Sequence, residues 1–230
     1  MFEVKIFTLY PDLYPGPLMT GIYKKALESK IWDLKIINIR DYAVDKHSSV
    51  DDTPFGGGSG MVLRPDVVAS ALDKNLQSNE TTIYLSPKGK KFNQEVAKKL
   101  SKQKKLNLIC GHFEGVDQRV LETRGVKELS VGDYVLSGGE TASYVLLDSI
   151  LRLIPGVLGN NLSSVVESFE NDLLEYPQYT KPQKWEEKAV PEVLLSGDHA
   201  KIKGWRLTQS EAITRRQRPD LWEIYKNKKK

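Results

Sequence analysis

"VGDYVLSGGE", residues 131–140, opens as an apolar strand and closes on two adjacent glycines, Gly138 and Gly139. A helix-like run, "TASYVLLDSILRLI" (141–154), follows at once. Two explanations for the glycine pair compete. A tight turn would use glycine's access to positive φ. A ligand brought up against the backbone would instead need the side chains to be missing. The rest of the chain has to choose.

Outward from this stretch, β-branched runs alternate with helical patterns. "EVKIFTL" (3–9), "LKIINIR" (34–40), "TIYLS" (82–86), "LNLICG" (106–111) and "VKELSVG" (126–132) read as strands. "LMTGIYKKALESK" (18–30) and "PDVVASALDKNL" (65–76) read as helices, with more predicted near 92–102, 116–123 and 141–154. Such alternation predicts an α/β domain with a largely parallel sheet. Ligands settle beyond the carboxyl ends of such strands. "YLSPKG" (84–89), "CGHFEG" (110–115) and the opening stretch all fall there. Their convergence favours the ligand explanation.

The span 41–63, "DYAVDKHSSVDDTPFGGGSGMVL", is polar and glycine-rich and reads as a mobile loop or lid. It is not a P-loop, because no Gly-Lys-Ser/Thr follows, and no strand carries a G-x-G-x-x-G turn. The lysine-rich "KGKKFNQEVAKKLSKQKK" (88–105) reads as a helix with a solvated face that could also touch phosphate. "NNLSSVVESFEND" (160–172) reads as an interdomain linker, with helices expected at 198–216 and 219–227.

Composition excludes several classes. The 230 residues are 40% hydrophobic and 28% charged, with no apolar run near the length of a membrane span. The start "MFEVKIFTLYPDLYP" lacks the features of a secretory signal, and a lone cysteine, Cys110, rules out a disulfide framework. The expectation is a cytoplasmic protein with no membrane partner and a buried, structural thiol. His47, His112 and His199 are scattered, so a catalytic zinc is not expected. Charge is split: residues 181–230 hold 13 Lys/Arg against 7 Asp/Glu, whereas residues 1–180 hold 21 against 23. That asymmetry points to a polyanion partner for the C-terminal part.

"PFGGGSGMVL", "YLSPKG", "CGHFEGVDQR", "VGDYVLSGGE", "IPGVLG", "YPQYTKP", "VPEVLLSGDHAKIKGWRL" and "RQRPDL" occur in this order. Together they resemble the TrmD family of bacterial tRNA (guanine-37-N1)-methyltransferases, from the first strand almost to the last residue. The resemblance implies a SPOUT-type α/β fold: a trefoil-knotted parallel-sheet domain over residues 1–159, a linker over 160–175, and a small, mainly helical tRNA-binding domain over 176–230. It implies methyl transfer from S-adenosyl-L-methionine to N1 of the guanosine at tRNA position 37, with Mg2+ as a candidate second cofactor. It also implies a homodimer with its active sites at the subunit interface. Residues implied to bind the methyl donor are Tyr84, Leu85, Ser86 and Pro87; Gly111, Glu114 and Gly115; and Val131, Gly132, Asp133, Tyr134, Val135, Leu136, Gly138 and Gly139. The glycine pair would then keep side chains out of the pocket, so that backbone amides reach the donor.

Methylating N1 of guanine removes its proton and develops negative charge toward O6, so a carboxylate base and a cation would complement the transition state. The resemblance places the cation at Arg152 and the base at Glu167, where the family has aspartate. His112 replaces a more usual arginine, Ala142 a frequent proline, and Glu175 a common aspartate. The competing reading is a non-catalytic RNA-binding protein that has lost its cofactor site.

Overall fold

Successive residues of the central strands face opposite apolar layers, which is why those strands are hydrophobic almost throughout. The computed structural model describes residues 1–77, 80–158 and 167–229. The first elements are β1 (Phe2–Thr8), α1 (Gly21–Glu28), β2 (Trp32–Asn38), β3 (Asp51–Asp52), β4 (Val62–Leu63) and α2 (Pro65–Asn75). They continue as β5 (Thr82–Lys91), α3 (Gln94–Ser101), β6 (Lys105–Ile109), α4 (Gln118–Thr123), β7 (Lys127–Ser130) and α5 (Gly139–Leu151). Then come β8 (Lys184–Trp185), β9 (Lys188–Ala189), α6 (Glu192–Leu195), α7 (His199–Gln217) and α8 (Pro219–Lys229). The chain divides into two compact units, Met1–Gly159 and Asn160–Lys230.

In the first unit, five parallel strands lie in the order β2-β1-β6-β5-β7. Ile6, Ile83 and Leu108 share one core with Leu146, Leu147, Ile150 and Leu151 of α5. Their neighbours Phe7, Tyr84 and Ile109 share the other core with Val67, Val68 and Leu72 of α2 and Leu121 of α4. The doubly covered parallel sheet matches the expectation from alternation. In the second unit, Asp198 caps α7 by accepting from the amides of Ala200 and Lys201. Tyr225 and Lys229 of α8 both donate to Glu211 of α7, at 2.6 and 2.8 Å. Among the described residues no helix is long and apolar enough to cross a membrane.

Three local expectations are corrected. The segment 88–105 is not one helix: Lys88–Lys91 finish β5, and α3 starts only after Asn93, whose side chain accepts from Val96 N at 3.0 Å. The strand expected to run through 131 ends at Ser130, whose hydroxyl accepts from Gly132 N (3.3 Å) and donates to Gly132 O (3.0 Å). Those two bonds turn the chain, so residues 131–138 form a loop. The expected lid has a structured base: β3 and β4 pair antiparallel below a glycine-rich tip that is exposed.

At the amino ends of the strands a charged cluster is shut in. Lys5 Nζ donates to Asn75 O (2.7 Å) and Glu80 Oε2 (3.4 Å), Lys105 Nζ to Glu80 Oε1 (2.8 Å), and Asn107 Nδ2 to Glu80 Oε2 (3.2 Å). Burial alone would raise the Glu80 pKa, but hydrogen bonds from Lys105 and Asn107 and the charge of Lys5 outweigh it, and the net shift is downward. A depressed folded-state pKa stabilises above the unfolded carboxyl's pKa, and that stability is lost as pH falls through the folded value. Glu80→Gln should cost about 3 kcal/mol at neutral pH, the scale for stripping one partner from a buried ion pair. Urea melts across the acid range should show the gap between wild type and variant closing as the carboxylate protonates.

Candidate active site

Three loops at the carboxyl ends of β5, β6 and β7 surround a cleft of about 280 Å³. The first is a bulge. Leu85 and Lys90 of β5 both stand opposite Leu129 of β7, so Ser86–Gly89 are extruded from the strand. The second follows β6 at Gly111–Gly115, and the third follows β7 at Val131–Gly138. Tyr84 forms part of the floor. Its buried ring lies where a Cβ on Gly111 would come within 2.6 Å, and burial raises its phenol pKa, so the hydroxyl stays neutral.

The glycine pair has a reason that neither sequence explanation contained. Gly138 has φ −165°, and Gly139 is the first residue of α5, so neither needs positive φ. A Cβ on Gly139 would lie 2.6 Å from Cys110 Cα and 3.0 Å from Gly111 N. A Cβ on Gly138 would overlap the His112 ring and come within 2.7 Å of Glu140 Oε2. Both glycines line the cleft, yet what excludes their side chains is the protein itself, at the crossing of the second and third loops. Gly139 N donates to Gly111 O at 3.0 Å, and His112 bridges Gly138.

Behind that crossing lies a buried polar network. Glu140 is 4% exposed; it accepts from Thr8 Oγ1 at 2.5 Å and bonds His112 Nε2 at 2.7 Å. Tyr14 OH reaches Ser143 Oγ (2.6 Å) and Cys110 Sγ (3.3 Å). Burial pushes the Cys110 thiol up to about 12, and burial followed by Cys110 raises the Tyr14 phenol. Cys110 is thus the inert structural thiol expected from its apolar run.

Every residue expected to hold the methyl donor lines this cleft except Asp133, whose exposed carboxylate lies 3.8 Å from Lys91 Nζ. Lys88, Phe113, Leu129, Ser130 and Ser137 also line it and were not singled out from sequence. Lys88 and Phe113 sat inside quoted motifs. Leu129 and Ser130 were passed over as interior strand, because the turn at Ser130 was not foreseen. The glycine-rich segment joins the rim: Leu63 N donates to Gly115 O (2.8 Å), and Glu114 N to Met61 O (2.9 Å).

Of the two expected catalytic residues, Arg152 is not among those that line the cleft, and Glu167 lies on the other unit. Arg152 caps the carboxyl end of α5, where its charge acts on Tyr23. Thirteen helical residues separate it from Gly138, a rise of about 20 Å. Glu167 belongs to the second unit, beside Ser168, whose hydroxyl accepts from Glu175 N at 3.0 Å. Among the described residues no three His, Cys, Asp or Glu side chains gather to hold a metal ion.

A doubly covered parallel sheet with a glycine-lined cleft beyond its strand ends defines an α/β protein, a class in which ligands settle at those ends. The family model described as "tRNA (Guanine-1)-methyltransferase TrmD" matches residues 2–224. A tRNA (guanine-N(1)-)-methyltransferase of Pelagibacter ubique is 68% identical over 98% of this chain and 99% of its own. Counterparts from Bartonella henselae and Brucella canis are each 51% identical over 100% of this chain, covering 99% and 94% of theirs. The chain belongs to the TrmD family, within the SPOUT class. It transfers the methyl group of S-adenosylmethionine to N1 of guanosine 37 of tRNA.

The loop crossing makes a testable distinction. Gly139→Ala meets backbone on the facing strand, so it should destabilise the fold by about 1–3 kcal/mol with no simple remedy. Gly138→Ala meets a side chain, and its cost should shrink in a His112→Ala background. Urea unfolding of the single and double variants gives the coupling energy directly.

Proposed function

We propose that the cleft seats S-adenosylmethionine, that Arg152 of a second copy of this chain completes the site, and that Glu167 takes the N1 proton of guanine. The observation that carries this reading is the length of α5, which sets Arg152 a rise of about 15 Å beyond Ala142, the last residue of the helix to line the cleft. A homodimer with active sites at the subunit interface removes that separation. An apolar face supports it: Leu13, Met19, Ile22 and Val145 are exposed on neighbouring elements, which are tied together by the Tyr144 hydroxyl on Leu13 O. The trefoil knot of the SPOUT class is part of the same proposal, with the three cleft loops as its crossing segments.

The chemistry follows from charge. The donor supplies an electrophilic methyl on a sulfonium. As N1 attacks it, the C–S bonding pair passes to sulfur, the N1 proton passes to the Glu167 carboxylate, and Arg152 balances the charge growing on O6. Asp172, a nearby carboxylate, is bound to Lys228 at 2.6 Å, which gives it a structural task. The donor's seat is supported by a cleft walled by three glycine-containing loops that leave main-chain groups within reach of a flat hydrogen-bonding nucleoside. Mg2+ is proposed as a second cofactor, with tRNA phosphates among its ligands. The residues after 175 are proposed as the tRNA-binding domain. Their net +6 over 181–230, the Arg206 guanidinium 4.8 Å over the Tyr176 ring and the Tyr179–Trp205 pair suit stacking and phosphate contact. The reaction is placed in the cytoplasm, in keeping with a single reduced, buried cysteine.

Mixed dimers test the interface. Arg152→Ala subunits combined with subunits whose cleft is filled by Leu136→Trp, at a lining residue that is exposed, should regain roughly a quarter of wild-type activity, because each hybrid dimer rebuilds one intact site. No recovery means that Arg152 serves its own chain. Glu167→Gln should slow single-turnover methyl transfer by ~10²–10⁴ while tRNA and donor affinities hold, and Glu167→Asp should keep substantial activity. A chain ending near residue 160 should retain donor binding and lose tRNA binding together with its salt dependence, read by gel shift at two ionic strengths.

A further inference from the structure

His112 and Glu140 form a largely buried imidazole–carboxylate pair in the wall of the cleft. His112, Gly138 and Gly139 line the cleft, and the Glu140 carboxylate sits immediately behind Gly138. The imidazole bonds that carboxylate at 2.7 Å, with side-chain exposures of 14% and 5%. On the β1 side the ring is covered by Tyr10, with centroids 4.6 Å apart, while Thr8 donates to the far oxygen of Glu140. Cys110, Tyr14 and Tyr144 all feel the Glu140 charge, and burial, their first cause, raises the pKa of each, so they stay protonated and neutral. On the other walls are Lys88 and, over Gly60, the exposed Glu114 carboxylate. Histidine is the side chain that changes charge near neutral pH. The pair is therefore neutral with His112 protonated and carries one negative charge with His112 neutral.

The reaction changes the ligand's charge by the same amount. Methyl transfer turns a cationic sulfonium into S-adenosylhomocysteine, a neutral thioether. We propose that the His112–Glu140 pair discriminates donor from product by charge, holding the sulfonium when the imidazole is neutral and losing that preference when it is protonated. This rests on the proposed seat of the donor in the cleft. Exchange of product for fresh donor then depends on a group other than Arg152 and Glu167. By linkage, bound donor must also oppose protonation of His112, whereas bound product does not.

Two measurements on the intact protein test this. Calorimetry gives the ratio of S-adenosylmethionine to S-adenosylhomocysteine affinity at about pH 5.5 and about pH 8.5 for wild type, His112→Gln and His112→Arg. The ligands' own amino groups titrate as well, so the variants serve as fixed-charge references. The wild-type ratio should follow His112→Arg at the acid end and His112→Gln at the alkaline end. The references should differ by about threefold to tenfold, the effect of one charge across ~10 Å of partly aqueous protein. Equal ratios in all three proteins at both values overturn the proposal. The second measurement needs no variant: an NMR titration of His112 should show a lower midpoint with donor bound than with product bound. Identical midpoints, with the amides of Gly111 and Gly138 shifted by both ligands, overturn the discrimination alone. If neither ligand shifts those amides, the seat itself is wrong and the discrimination falls with it.

Discussion

The constraint on which this site depends is the approach of two main chains, Gly139 against Cys110 and Gly111. A Cβ at Gly139 would stand 2.6 Å from Cys110 Cα, well inside van der Waals contact, so the third loop can cross the second only if residue 139 has no side chain. That crossing sets where α5 begins. The start of α5 in turn carries Glu140 into the buried network of Thr8 and His112 and positions Ala142 on the cleft. Cleft shape, helix position and local charge all follow from a single backbone contact.

The architecture was legible because strands buried on both faces must be apolar without interruption. Ile6 and Phe7, or Leu108 and Ile109, face opposite cores, and no amphipathic alternation is left to confuse the reading. The cleft was legible for a related reason: loops at strand ends in which main chains approach closely are rich in glycine. What could not be read was the cause of each glycine. Gly138 gives way to the His112 ring and Gly111 to Tyr84, and these neighbours are 26 and 27 positions away in sequence. The bulge at Ser86–Gly89 was equally hidden, since "SPKGKK" reads as a strand running into a helix until Leu129 is seen opposite both Leu85 and Lys90. Asp133 shows the converse limit. Sitting inside a motif did not place its side chain in the cleft.

The interior near the cleft is polar yet almost free of titrating groups. Tyr14, Tyr84, Tyr144 and Cys110 all have raised pKa values, burial being the first cause in each case, so their protons stay in place at neutral pH. They serve as hydrogen-bonding spacers: Tyr14 joins Ser143 of α5 to Cys110 at the end of β6. A site that handles a cationic ligand benefits from walls whose charge is fixed by structure, because each stray ionisation there would alter binding by an amount comparable with a hydrogen bond. Against that quiet background, a single imidazole beside a buried carboxylate stands out.

On the proposed reading, the same helix that organises the cleft also holds Arg152 away from it. α5 is anchored at its amino end by the loop crossing and is packed along its length by Leu146, Leu147, Ile150 and Leu151, all of them fully buried. Neither end can move toward the other without opening the core, so Arg152 cannot swing to the cleft of its own chain. A rigid spacer of about 15 Å between two parts of one site has a simple geometric solution in a twofold dimer. There, the carboxyl end of one α5 is brought near the amino end of the other. Every isologous contact occurs twice, so one interface would complete two sites. The same rigidity would then fix the position of Arg152 across the proposed interface. Activity would in that case require assembly, and an isolated subunit would bind its methyl donor without being able to use it.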